Sequence, residues 1–356
     1  MFFTLLFSFT FASISLYILH PVAVRISFVD RPTERKQHKG NIPLIGGLSI
    51  FLPIAITLYF SPELVSDNQV YIFCSAFLLL LGLIDDKLDL SVKLRMTLII
   101  AISAWLVLHE GFKIDYLGNL FGFGDVLLGN FDILFTIVAI IGAVTAFNMV
   151  DGLDGLLGGL AMVTLSALAI LFAINEQYQL LLFCSVFIIS IIPYIICNLD
   201  LLPKKKLKVF MGDSGSLFIG FTVIWLLIEG SQAYDGSQMI NKIKPVTALW
   251  IIAIPLMDMA YTMIRRIRKK QSPFKADREH IHHVCERLGL SSLQTLGLIC
   301  FIACIFASIG IFGELLGIPE VVMFTAFMLT FVCYHLLFTH IWKVTVFVRH
   351  CASLLK

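Results

Sequence analysis

The sequence predicts an all-α, polytopic membrane protein with about eleven transmembrane helices. Three observations carry this expectation. Of 356 residues, 58% are hydrophobic and only 14% charged, far too apolar a balance for a soluble domain. Eleven apolar runs reach the roughly 17–25 residues that a bilayer crossing needs. Lys and Arg divide very unevenly between alternate loops, which orients the spans.

The first run, "MFFTLLFSFTFASISLYILHPV", has no basic residue ahead of it and stays apolar throughout, so it reads as a membrane helix and not a cleaved signal. The others lie near 43–60, 69–85, 94–110, 131–148, 157–175, 178–199, 209–229, 246–263, 294–313 and 319–342. With the amino terminus outside, the inner loops and the tail hold 23 of the 26 basic residues, and only Lys113, Lys242 and Lys244 fall outside. That split places the carboxyl terminus in the cytoplasm. Six of the eight cysteines fall inside spans, while Cys285 and Cys351 face the reducing side, so no disulfide framework is expected. No repeat or low-complexity tract interrupts 1–356, which reads as a single membrane domain.

The patterned polar residues gather in the predicted cytoplasmic loops 25–42, 85–95, 148–156, 200–208 and 264–293. "IGAVTAFNMVDGLDGLLGGL" sets Asn148, Asp151 and Asp154 in apolar surroundings, where a carboxylate costs several kcal/mol unless it is met by a cation or water. Asp151 and Asp154 are three apart, so they share a face if helical, and no Lys or Arg lies between 142 and 203 to pair with them. A metal, a substrate or another loop must supply the partner. In "LIDDKLDLSVKLR", Asp85 and Asp86 are adjacent: one can bind a ligand while the other holds a nearby cation, or both can simply pair with Lys87, Lys93 and Arg95. "FMGDSGS" places Asp213 in a glycine turn opening a span, a setting that favours phosphate together with a hard cation such as Mg²⁺. The plain alternative for Asp213 is a helix N-cap.

"RRIRKKQSPFKADREHIHH" carries Arg265 and a basic run ahead of His280, His282 and His283. Zinc would want paired ligands at tetrahedral spacing, and neither CxxC nor HxxxH occurs there. Cations beside imidazoles suit a phosphate or sugar phosphate better; the basic run alone would also serve topology and anionic lipid. Acids for a divalent cation and cationic loops for phosphate, all at one bilayer surface, point to phosphoryl transfer from a soluble donor to a lipid acceptor.

"LIDDKLDL", "NMVDGLDGL", "FMGDSGS" and "HIHH", in this order along nearly the whole chain, resemble the polyprenyl-phosphate N-acetylhexosamine-1-phosphate transferases. "PLIGG", "WIIAIPLMDM" and "SPFKADREHIHH" resemble the branch that moves GlcNAc-1-phosphate from UDP-GlcNAc to undecaprenyl phosphate and releases UMP. The resemblance implies a place in the bacterial inner membrane, at the start of O-antigen or enterobacterial common antigen synthesis. It also implies Mg²⁺ or Mn²⁺ at Asp213 with Asn148 close by. Lys39, Asp151, Asp154 and Phe210 then belong to the nucleotide, Phe210 stacking on uracil. Asp85 and Asp86 are then catalytic beside the lipid phosphate, deprotonating or positioning it, with Lys93 and Arg95 supplying its cations. Arg265 and the three histidines recognise the sugar and diphosphate. No nucleic-acid partner is expected, and a homodimer is left open.

Two rivals remain. A transporter would carry polar groups at mid-membrane depth and on both faces, whereas the patterned acids here sit at one face. The muramoyl-pentapeptide transferases of the same family lack the "SPFKADREHIHH" form of the histidine loop.

Overall fold

A computed structural model describes residues 1–32, 40–202, 207–232, 234–235, 238–239, 243–274 and 279–340. The described residues are overwhelmingly helical, and they form two compact units: 1–115 with 128–243, and 116–127 with 244–356.

The first unit contains α1 (Phe2–Arg25), α2 (Gly46–Phe60), α3 (Asn68–Leu88), α4 (Val92–His109), α5 (Asp132–Val150), α6 (Leu156–Ile174), α7 (Tyr178–Asn198) and α8 (Gly212–Ser231). The second contains α9 (Pro245–Ile251), α10 (Ala253–Arg268), α11 (Ile281–Arg287), α12 (Ser292–Leu315) and α13 (Glu320–Thr339). Every predicted apolar run becomes helical. Among the described residues nine helices are long and apolar enough to cross a membrane, and large apolar side chains such as Phe3, Leu134, Phe301 and Leu329 lie exposed on their surfaces, as lipid-facing positions would.

Two of the eleven expected spans differ in form. The second is a helix of only 15 residues, about 22 Å long at 1.5 Å per residue and short of the roughly 30 Å hydrocarbon core. It starts late because 42–43 is drawn into a two-stranded antiparallel pair, β1 (Val29–Asp30) with β2 (Ile42–Pro43). The ninth is broken into α9 and α10, bent by 79°. Pro255 explains the break: it has no N–H to donate, and its ring would clash with the carbonyl of Ile251, the last residue of α9.

In the first unit α8 is the axis, almost wholly buried, with α3 and α5 as its main neighbours and α2 and α6 beside them. Small residues at its start allow this. A Cβ at Gly82 of α3 would lie 2.3 Å from the Ser214 Cα, so α3 meets α8 backbone to backbone. Further along, Tyr71 of α3 sits among Phe183, Phe221 and Trp225, and its hydroxyl lies 2.7 Å from Thr222 Oγ1. This aromatic core locks α3 and α8 in register and so sets where their ends meet.

Candidate active site

Asp85, Asp86, Asp151, Asp154 and Asp213 converge at one end of the bundle, where α3, α5 and α7 end and α2, α4, α6 and α8 begin. Backbone bonds join the loops. Phe210 N–H donates to the Pro43 carbonyl (2.9 Å), and the Phe210 carbonyl accepts from Gly46 N–H (3.0 Å). Asn198, buried at the end of α7, accepts from Gly155 N–H (2.5 Å) and donates to the Val209 carbonyl (2.8 Å). It thereby ties the "DGLDG" turn to the segment leading into α8.

Asp213 stands in the first turn of α8 with its side chain 35% exposed, open at its outer side. Its Oδ1 accepts from Asn148 Nδ2 (2.7 Å), and that same amide donates to Ser216 Oγ (2.8 Å). Its Oδ2 lies 3.3 Å from Arg95 Nη1, and the same guanidinium nitrogen is 2.6 Å from Asp85 Oδ2. The adjacent acids of α3 have therefore separated roles. Asp85 is buried, paired with Arg95, and takes the Leu90 N–H on Oδ1 (2.8 Å). Asp86 accepts from Asp213 N–H (2.9 Å) and Ser214 N–H (3.3 Å), so it caps the start of α8 from a neighbouring helix. Gly212 takes φ +74°, and a Cβ there would lie 2.5 Å from Asp86 Oδ2, so only glycine fits.

The missing partner for the "DGLDG" acids comes from the next loop: Lys208 Nζ lies 2.5 Å from Asp154 Oδ2 and 5.7 Å from the Phe210 ring centroid. Asp151 closes α5. Burial, first, and then the negative charges of Asp213, Asp86 and Asp154 push its carboxyl up to about 8. A carboxyl raised in the folded state lends stability at low pH that is lost as pH rises through that value. In chelator, the unfolding temperature should therefore fall from about pH 4, near the ordinary carboxyl value, to about pH 8, and Mg²⁺ should flatten the fall by offsetting the neighbouring charge. A flat profile in chelator would count against this charge balance.

Of the other expected residues, Lys93 is exposed on α4. Lys39 lies outside the described residues, and so does part of the loop ahead of the histidines.

In the second unit Arg265 pairs with Glu279, immediately before the histidines. The neighbouring Arg266 is the residue that reaches into the loop: it is 2% exposed, donates to the Pro273 carbonyl (2.6 Å) and places Nη2 3.5 Å from His280 Nε2. His282 is also 2% exposed, and neither ring nitrogen has a hydrogen-bond partner among the described residues. Burial, with His283 and His280 adding to it, pushes His282 down to about 3, so its ring is neutral near pH 7 and offers hydrogen-bonding groups without charge. His283 is half-exposed, with Nδ1 3.4 Å from Glu286.

Residues 68–231, the segment holding most of these acids, match glycosyl transferase family 4. Over 97% of its length the chain is 42% identical to the undecaprenyl-phosphate alpha-N-acetylglucosaminyl 1-phosphate transferase of Yersinia pestis, covering 93% of that protein. The like-named protein of Escherichia coli K12 is 41% identical over 98% of the chain and 94% of its own length. That of Haemophilus influenzae is 41% identical over 95% and 94%. The chain belongs to this transferase family. The resemblance seen in the four motifs is thus shared along essentially the full chain.

For a transferase of this family, the structure adds Lys208, Asn198 and Ser216 to the residues noticed in sequence, and it singles out Arg266 from the basic run. Lys208 was visible only as one of a basic cluster. Asn198 and Ser216 had no signal at all, because their roles depend on partners that folding brings near.

Proposed function

We propose that the chain transfers GlcNAc-1-phosphate from UDP-GlcNAc to undecaprenyl phosphate, giving undecaprenyl-diphospho-GlcNAc and UMP. We place the reaction at the cytoplasmic face of a bacterial inner membrane, as the first lipid-linked step of O-antigen or enterobacterial common antigen synthesis. The observation that carries this reading is the meeting of Asp86, Asp151, Asp154 and Asp213 with Arg95 and Lys208 at one end of an apolar-surfaced bundle, in a chain of this family.

An oxygen of the lipid phosphate attacks the phosphorus bearing GlcNAc. A new P–O–P linkage forms, the bond between the two donor phosphates breaks, and UMP leaves with the electron pair. A phosphate monoester loses its second proton near pH 6, so near pH 7 the acceptor needs no base. That fits the engagement of Asp85 by Arg95 and of Asp86 by two backbone N–H groups, and it favours direct displacement over an aspartyl intermediate. We assign Arg95 to the lipid phosphate, and Lys208 and Phe210 to the nucleotide. By the family resemblance, Arg265, His280, His282 and His283 are assigned to the sugar and diphosphate.

A divalent cation suits the donor set. No three acid or histidine side chains enclose a metal among the described residues, but Mg²⁺ commonly uses one or two carboxylates and completes its shell with substrate phosphate and water. Asp213 with Asn148 would hold it, and the raised Asp151 marks negative charge that a cation would offset. Mg²⁺ or Mn²⁺ there would neutralise charge on the donor diphosphate.

Purified protein with undecaprenyl phosphate, Mg²⁺ and a panel of UDP-sugars, followed by UMP release, tests the whole reading. UMP should appear with UDP-GlcNAc and only when lipid is present. Chelator should stop it, and Mg²⁺ or Mn²⁺, but not zinc alone, should restore it. Preference for another UDP-sugar would reassign the donor. Full turnover in excess chelator, with negligible metal measured, would remove the cation from the reaction.

A further inference from the structure

The histidine loop is held by an acid that neither its motif nor its basic run contains. Asp258, in α10, is 1% exposed. Its Oδ2 lies 2.7 Å from His280 Nδ1. Its Oδ1 accepts from the Ile281 N–H (2.9 Å) and from the Tyr334 hydroxyl of α13 (3.0 Å). A buried carboxylate is costly unless donors surround it, and here three do. Two of the three belong to the loop, and the third anchors the carboxylate to a membrane helix.

We propose that Asp258 is a positioning residue of the donor site: by accepting from Nδ1–H and from the next backbone N–H, it fixes the tautomer and the place of His280 and turns Nε2 toward Arg266. The carboxylate can only accept, so His280 must carry its proton on Nδ1. Nε2 is then the ring atom directed to the side where the Arg266 guanidinium lies at 3.5 Å. Unprotonated, Nε2 accepts from a sugar hydroxyl, while the guanidinium beside it donates to a phosphate oxygen. Carboxylates that orient a functional histidine in this way commonly change activity by about 10- to 100-fold when removed. The inference rests on the reading that this loop recognises the donor.

Asp258→Asn, His280→Ala and the double variant, made in the full chain, separate the possibilities. Asn is isosteric but turns an N–H₂ toward donors that need acceptors. Asp258→Asn should lower kcat/KM for UDP-GlcNAc by about 10- to 100-fold and leave KM for undecaprenyl phosphate near the wild-type value. In the His280→Ala background it should cost nothing further, since the residue it works through is gone. Additive losses, wild-type donor kinetics in Asp258→Asn, or an equal loss toward both substrates would each overturn the proposal. If His280→Ala alone keeps wild-type donor kinetics, the donor reading of the loop fails, and that failure is read without reference to Asp258. Should Asp258→Asn not fold, Tyr334→Phe removes a single donor to the same carboxylate. It should weaken the same donor constant, again only when His280 is present, and unchanged donor kinetics there would overturn the proposal.

Discussion

Asp213→Asn should leave essentially no transfer while the protein remains folded. Asp213 is open to a ligand on its outer side at the convergence of four loops, and its two oxygens already face an amide and a guanidinium. A neutral amide holds a hard divalent cation far less well than a carboxylate. It also turns either an N–H₂ toward the Asn148 N–H₂ or one toward Arg95, so one existing contact becomes donor against donor. Loss of preorganised charge stabilisation at a reacting phosphoryl group costs about 10²–10³-fold or more in kcat. UMP release measures the turnover, Mn²⁺ titration followed by paramagnetic resonance measures the site, and thermal unfolding verifies the fold. Near-normal turnover at ordinary Mg²⁺ with undiminished Mn²⁺ affinity would remove Asp213 from the metal.

What could be read in advance divides along physical lines. Helices were legible because hydrocarbon demands long apolar runs with satisfied backbones, and that demand is local in sequence. The shortness of α2 and the bend at Ile252 were not, because run length does not register where a strand pair or a proline interrupts a run. Asp151, Asp154 and Asp213 stood out because ionised groups in apolar surroundings need an answer. Their answers were hidden: Lys208 reaches Asp154 across 54 residues, and Asn198 reaches Gly155 across 43. Arg265 drew notice as the first of the basic run, yet Arg266 is the one buried against His280. Side-chain direction on α10 decides between those neighbours, and a charge pattern alone does not carry it.

The adjacent acids of α3 show the same limit most sharply, and they yield the second large effect. In sequence Asp85 and Asp86 are equivalent; in the fold one pairs with Arg95 and the other caps α8. Asp86→Ala removes the acceptor for the Asp213 and Ser214 N–H groups, and the left-handed turn at Gly212 loses the carboxylate packed against it. Loss of a cap costs about 1–2 kcal/mol of stability. The larger consequence is that Asp213, one bond away, moves, and displacement of a reacting group by about 1 Å can cost about 10²-fold in rate. Asp86→Ala should thus lower kcat by about that factor, with a modest drop in unfolding temperature and little change in KM for undecaprenyl phosphate. Asp86→Asn, whose carbonyl still accepts one N–H, should fall between wild type and Ala in both properties. The family resemblance sets this residue beside the lipid phosphate, and direct contact there predicts a different pattern: acceptor KM rises while kcat holds, and unfolding temperature is unchanged. Steady-state constants for both substrates with thermal unfolding of the two variants discriminate between them. If Asn is as inactive as Ala at wild-type stability, charge at Asp86 matters and its capping does not.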